Sequence, residues 1–199
     1  MPFYHEQMGE ILQEVEEKIQ SPLAWGSLLH IHEAYLLEEA GDMAVETGFS
    51  IAEDDSISIA VKTPMPQTSP EMWNWWFGWH GSEDERYKLW HPKAHISAKW
   101  EDGRDDNCYT GRTSIIKEYI GPNALDAAIQ FKSPLSFGFS NESISHPEKA
   151  VYICARIGHP KLPVDYGYLV HQERTTQKGT EMRSRFWLGG KHVAPRHDN

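Results

Sequence analysis

Cysteine is scarce: the 199 residues include two, Cys108 and Cys154. They form no CxxC, which argues against a disulfide framework and against a thiolate zinc site. Long apolar runs are missing too, and none approaches the ~20 residues needed to span a bilayer. Basic charge is in deficit, with 19 Lys and Arg against 29 Asp and Glu, a formal net charge of -10. Phosphate backbones are bound by basic patches, so neither a nucleic acid nor a membrane is an expected partner. The N-terminal MPFYHEQMGEILQEVEEKIQ is acidic and amphipathic, unlike a signal or transit peptide. The expected location is the cytoplasm. Nucleotide and hydrolase signatures are absent: GxGxxG, the Walker loop, GxSxG and HExxH do not occur. Neither cysteine stands where a helix start would lower its pKa.

What the chain has is enough apolar content, 39% against 24% charged, for one domain with a core. A single domain over 1–199 is expected, with N-terminal helices over 1–43, a sheet-rich region over 44–190 and a disordered tail over 191–199. Helical spacing runs from Glu6 to Gln20 and again from Leu28 to Glu39. A hairpin is expected from Ala44–Ile51 and Ser56–Lys62 around the Glu53-Asp54-Asp55 turn. Thr68 or Ser69 caps a helix from Pro70 to Trp79 that is aromatic on nearly every side, which predicts burial. Gly81–Glu85 reads as a charged loop.

The region Glu71–Trp100 gathers six of the eight tryptophans with His80, His91, His95 and Tyr87. Aromatic walls with a few inward polar groups make small-molecule pockets. An aromatic core with merely hydrogen-bonded histidines gives the same composition. Pro92 keeps His91 and His95 off one helical face. They fall instead on a turn entering a strand, where alternation puts Ala94, Ile96 and Ala98 on one side and His95, Ser97 and Lys99 on the other. In the strand Ser114–Ile120, Glu118 shares a face with Ile116 and Ile120. A glutamate on an apolar face must be paired, metal-bound or protonated.

Asn123–Phe131 has a helical pattern, and Ser133–Lys149 is loop-rich. Strands are then expected over 150–157, 166–175 and 180–188. In the second, Tyr166, Tyr168, Val170 and Gln172 share one face, and Gly167, Leu169, His171 and Glu173 the other. The sum is an α+β fold with helices on one face of an antiparallel sheet.

The blocks EMWNWWFGWHGSEDERYKLWHPKAH, YTGRTSIIKEYIG and EMRSRFWLG resemble the 2,4-diacetylphloroglucinol hydrolase family, which includes phloretin hydrolase. The similarity runs from about Phe49 to Gly190. It implies a helix-grip fold of the birch-pollen-allergen type, a curved antiparallel sheet around a long C-terminal helix. It implies hydrolysis of the carbon–carbon bond between an acyl group and a phenolic ring, with Zn2+ held by His and Glu. Carried onto this sequence, the ligands are His95, with His91 as the alternative, and Glu118. His171 and Tyr87 become the catalytic residues, and Tyr87, Trp76 and His91 the substrate contacts. The implied partner is a small phenolic ketone, with a homo-oligomer also possible within the family. The resemblance further implies a His-x3-Glu ligand pair on the C-terminal helix. Four residues after His192 stands Arg196, so that pair and the gripped helix are expected to be missing. A binding protein of the same fold without catalysis, or a shortened inactive form, is the alternative reading.

Overall fold

The computed structural model describes residue 11 and residues 13–196. The expected first helix appears as α1, Gln13–Lys18, and its earlier part lies outside the described residues. The second is a 3-10 helix, Ile31–Glu38. Its carbonyls find partners in the sheet: the Leu37 oxygen accepts from Gln172 Nε2 at 2.6 Å and from Arg183 at 3.3 Å. Further helices are α2, Pro70–Trp79, α3, Asp84–Lys88, and α4, Asn141–Ile144.

The strands are β1, Gly48–Ile51, β2, Ile57–Pro64, β3, His95–Trp100, β4, Thr113–Ile120, and β5, Asn123–Lys132. They continue with β6, Ala150–Gly158, β7, Val164–Thr176, β8, Gly179–Leu188, and the two-residue β9, Ala194–Pro195. The antiparallel order is β1-β2-β8-β7-β6-β5-β4-β3, with β9 on β7. The expected α+β class and antiparallel sheet are present. The longest described helix, α2, lies on its inner face.

Two segments differ from expectation. Asn123–Phe131 is not helical but forms β5, paired along β4 and β6. Alanines give this segment good helix propensity, and burial on both sheet faces outweighs it: Ala127, Ile129 and Phe131 on one, Ala128 and Gln130 on the other. Nor is the tail loose over 191–196. Ala194 and Pro195 pair with β7, and Arg196 Nε donates to Asp165 at 2.8 Å.

Helical segments cover both faces of the sheet, not one. On the inner face, Ile116, Ile129, Phe131, Val151, Ile153 and Leu169 meet Phe77 of α2 and Tyr87 of α3. On the outer face, Tyr152, Cys154, Val170 and Trp187 meet Ala34, Leu37, Phe137 and Phe139. Residues 150–155 of β6 therefore read as an unbroken apolar run, because successive residues feed two different cores.

The outer face also buries charge. Arg183, with no exposed surface, donates to Glu46 at 2.7 and 3.1 Å, and Arg185 reaches the same carboxylate at 2.5 Å. Burial works against the Glu46 charge, yet the two guanidiniums outweigh it and hold the carboxyl below its usual range. One carboxylate thus ties the segment before β1 to β8. Replacing it removes the carboxylate that both buried cations share. Glu46→Ala is expected to destabilise the protein by about 3–5 kcal/mol in urea unfolding; a change within about 0.5 kcal/mol, the range of neutral surface substitutions, would refute this role.

Candidate active site

The inner face carries the site, and its parts arrive from local rules. Ser69 caps α2, its Oγ accepting the Met72 N–H at 3.3 Å, and Pro70 follows at the first helical position. One side of α2 sends Trp73, Trp76 and Phe77 to the sheet. The other side stays open, with Trp75 48% and Met72 57% exposed, so the aromatic helix is not buried all round. The stretch expected as a charged loop contains a 3-10 turn, His80–Ser82, and the start of α3. Acidic Asp84 and Glu85 favour a helix N-terminus, and Asp84 Oδ1 also accepts the Ala98 N–H of β3 at 3.1 Å.

Tyr87 then does three things. Its ring stacks on His95, centroids 3.8 Å apart and planes 2° from parallel. Its carbonyl accepts from His95 Nδ1 at 2.9 Å. Its hydroxyl donates to Glu118 Oε2 at 2.9 Å. The carbonyl fixes the imidazole tautomer: Nδ1 carries the proton, so Nε2 presents a lone pair. That lone pair lies 3.6 Å from Glu118 Oε2. Burial pushes His95 down to about 4, so at neutral pH this contact is not a salt bridge. Burial raises the Glu118 carboxyl, with the Tyr87 hydroxyl pulling the other way. Burial and the Glu118 carboxylate together push the Tyr87 phenol far above its ordinary value.

Two bulges correct the alternation expected from the sequence. His95 pairs with Glu118, and Ser97 with Lys117, so Ile96 is an extra residue. This moves His95 to the face of Ala98 and Ile116, although strict period-2 counting puts it opposite. Likewise Asp165 pairs with Gly158 and Gly167 with Ile157, so Tyr166 is extra. Tyr166 leaves the Tyr168 face and packs on the inner core. Burial raises its phenol, and the Glu118 carboxylate adds to the rise.

Trp90 joins the parts. Its ring lies 5.7 Å from His95, 5.8 Å from His171 and 5.1 Å from Trp76. His171 is neutral, pushed down to about 4 by burial, and its Nδ1 meets Ser184 Oγ at 2.8 Å. His91 accepts the Ala94 N–H on Nδ1 at 3.0 Å, with its ring 5.7 Å from His95. Trp76 stacks on His80 at 4.0 Å; burial pushes that imidazole to about 4. The residues selected from the sequence, Tyr87, Trp76, His91, His95, Glu118 and His171, thus converge around Trp90. Sequence reasoning missed Trp90, His80 and Tyr166 as site residues. The first two sat inside the aromatic block, while Tyr166 had no signal because a bulge leaves none in the pattern. As metal donors, His95 Nε2 and Glu118 Oε2 are of the right type, with the Tyr87 carbonyl orienting the imidazole from behind. Among the described residues, no group of three or more His, Cys, Asp or Glu is placed to hold a metal ion.

Residues 28–198 match the family model described as the DAPG hydrolase PhiG domain. The chain is 26% identical to 2,4-diacetylphloroglucinol hydrolase of Pseudomonas protegens over 94% of its own length and 64% of the relative's. It is 30% identical to phloretin hydrolase of Eubacterium ramulus over 77% of its length and 58% of the relative's. It therefore spans under two thirds of these curated relatives. Among solved structures, a major latex-like protein of Panax ginseng aligns with 68% of this chain and 80% of its own, at 10% identity and a TM-score of 0.44.

The bulge that turns Tyr166 inward depends on Gly167. A Cβ there would lie 2.5 Å from Leu188 Cδ2 and 2.9 Å from the Trp187 carbonyl oxygen. Gly167→Ala is expected to cost about 1–3 kcal/mol of stability through overpacking. Denaturant unfolding measures it, and an unchanged midpoint would show that the strand crossing has room to give.

Proposed function

Because the chain belongs to the DAPG hydrolase PhiG domain family, we propose that it hydrolyses the carbon–carbon bond between an acyl group and a phenolic ring, with zinc at His95 and Glu118. The observation that carries the metal half is the pair of facing acceptors. A lone pair on His95 Nε2 and a carboxylate oxygen 3.6 Å apart, in a half-buried site, call for a cation or a proton between them. Zinc suits one nitrogen and one oxygen donor, with the remaining positions open to water or further donors. When bound, it would act as a Lewis acid and favour ionisation of water at neutral pH.

The other groups have separate tasks. The walls of Trp76, Trp90 and Phe77 accept a flat aromatic ring and exclude water. Tyr87 and the inward Tyr166 present phenol groups that feel the Glu118 carboxylate, suited to ring hydroxyls. Neutral His171 takes a proton from a ring hydroxyl and delivers it to the ring carbon that bears the acyl group. That carbon becomes tetrahedral and the ring a ketone. Water adds its oxygen to the acyl carbon; the carbon–carbon electron pair returns to the ring oxygen, and a carboxylic acid and a phenol leave. His91 flanks the His95 side and can hold the acyl oxygen.

Elemental analysis of chelator-free protein is expected to give about one zinc per chain. His95→Ala with Glu118→Gln is expected to abolish it, and Tyr87→Phe to lower kcat about 10²-fold with acetylated phloroglucinol as substrate. Zinc retained in the double variant would overturn the ligand assignment. A bound aromatic with neither zinc nor turnover would leave a small-molecule binding protein as the function.

A further inference from the structure

Glu173 of β7 is a carboxyl with no place in the scheme above. It has no exposed surface, and it stands on the inner face two residues from His171. Its neighbours across the sheet are Val151 and Met182, both apolar. The charged group that acts on it is Glu181 of β8, another carboxylate, whose own partner is Arg174 at 2.5 Å. Oε2 of Glu173 is buried without a hydrogen-bond partner among the described residues. An ionised carboxylate in that setting would have a bare oxygen and no counter-charge.

The hydrogens around Thr68 favour the protonated form. Thr68 Oγ1 lies 3.0 Å from Glu173 Oε1 and 3.0 Å from the Met65 carbonyl oxygen. It also accepts from Trp73 Nε1 at 3.3 Å. A hydroxyl has one hydrogen to give. If that hydrogen goes to Met65, the contact with Glu173 needs a hydrogen from the carboxyl. With a protonated Glu173, the indole and the acid both donate to Thr68, Thr68 donates to Met65, and every contact is satisfied. With an ionised Glu173, the Thr68 hydroxyl must turn to the carboxylate, and the Met65 carbonyl keeps only the Thr68 N–H at 3.1 Å.

What hangs on Thr68 is the pocket wall. Trp73 packs edge-on against Trp90 at 5.0 Å, and Trp90 touches both His95 and His171. We propose that Glu173 is a buried neutral carboxylic acid that positions Trp73 through Thr68, and that loss of its proton loosens the aromatic wall behind the two histidines. The site is thereby coupled to pH through a residue that never meets the substrate.

Burial raises the Glu173 carboxyl to about 7, from an ordinary carboxylate value of 4.5, with Thr68 opposing, Glu181 adding and the Trp73 indole opposing. The native state therefore binds this proton more tightly than the unfolded chain. Stability from this group is complete below about 4.5 and is lost as pH rises through about 7. The variant Glu173→Gln keeps a donor for Thr68 and cannot ionise. Its Tm is expected to match wild type near pH 5 and to exceed it by several degrees near pH 8. Wild-type tryptophan emission is expected to titrate with a midpoint near 7, and the variant to hold the acid-form spectrum throughout. A Tm difference independent of pH, or an unchanged emission midpoint in the variant, would overturn the proposal. Carbon-13 NMR of glutamate-labelled wild type tests it without that substitution. A carboxyl titrating near 7 that moves in Thr68→Val supports the assignment, and its absence sinks it. None of these readouts requires turnover, so they stand or fall apart from the hydrolase reading.

Discussion

A strand side chain has two destinations, one face of the sheet or the other, and a shift of one residue exchanges them. This protein buries both faces of its central strands, so the constraint governs two cores at once. It also governs the site. His95 faces Glu118 because Ile96 is an extra residue in β3, and Tyr166 faces inward because it is itself the extra residue in β7. Without the first bulge, the imidazole would fall on the side of Ser97 and Lys99, away from the carboxylate. The bulges are thus how an otherwise regular sheet brings polar groups into an apolar face.

Given that placement, Tyr87 supplies the orientation. A stacked ring alone would leave the imidazole free to flip, and a hydroxyl contact alone would leave its tautomer open. The Tyr87 carbonyl removes both freedoms by taking the Nδ1 hydrogen, while the hydroxyl of the same residue holds Glu118. Backbone and side chain of one residue therefore aim two acceptors at a common point. The local chain makes this possible, because α3 is short and its Asp84 is hydrogen-bonded to β3.

How much of this was legible follows from which signals are local. The α2 helix was readable to the residue, since Ser69, Pro70 and the aromatic spacing are written in adjacent positions. The hairpin β1–β2 and strands β6 to β8 were readable from alternation and turns. Segment β5 was not, because its alanines favour a helix and only pairing with β4 and β6 makes it a strand. The docked 191–196 segment was hidden too: its order comes from Asp165 and from the start of β7, which extends past β8, far away in sequence. Of the site, Glu118 was visible as a carboxylate between isoleucines. His95 came through family resemblance while its face was misassigned, and Tyr166 could not be found, since a bulge changes register without changing composition.

The two faces of β7 and β8 handle buried polarity in opposite ways. Outside, Arg183 and Arg185 stay charged and share Glu46, a fixed ion network whose members lose much if any one is removed. Inside, burial drives the groups toward neutrality: His80, His95 and His171 are lowered to about 4, and Glu118, Glu173 and the Tyr87 phenol are raised. A paired ion holds its proton state and can only be structural. A group neutralised by burial holds its state on narrow terms, and a cation, a substrate hydroxyl or a change of pH can reverse it. The groups that can change proton state therefore lie on the inner face, and the ion network on the outer face ties β8 to the segment before β1 behind them.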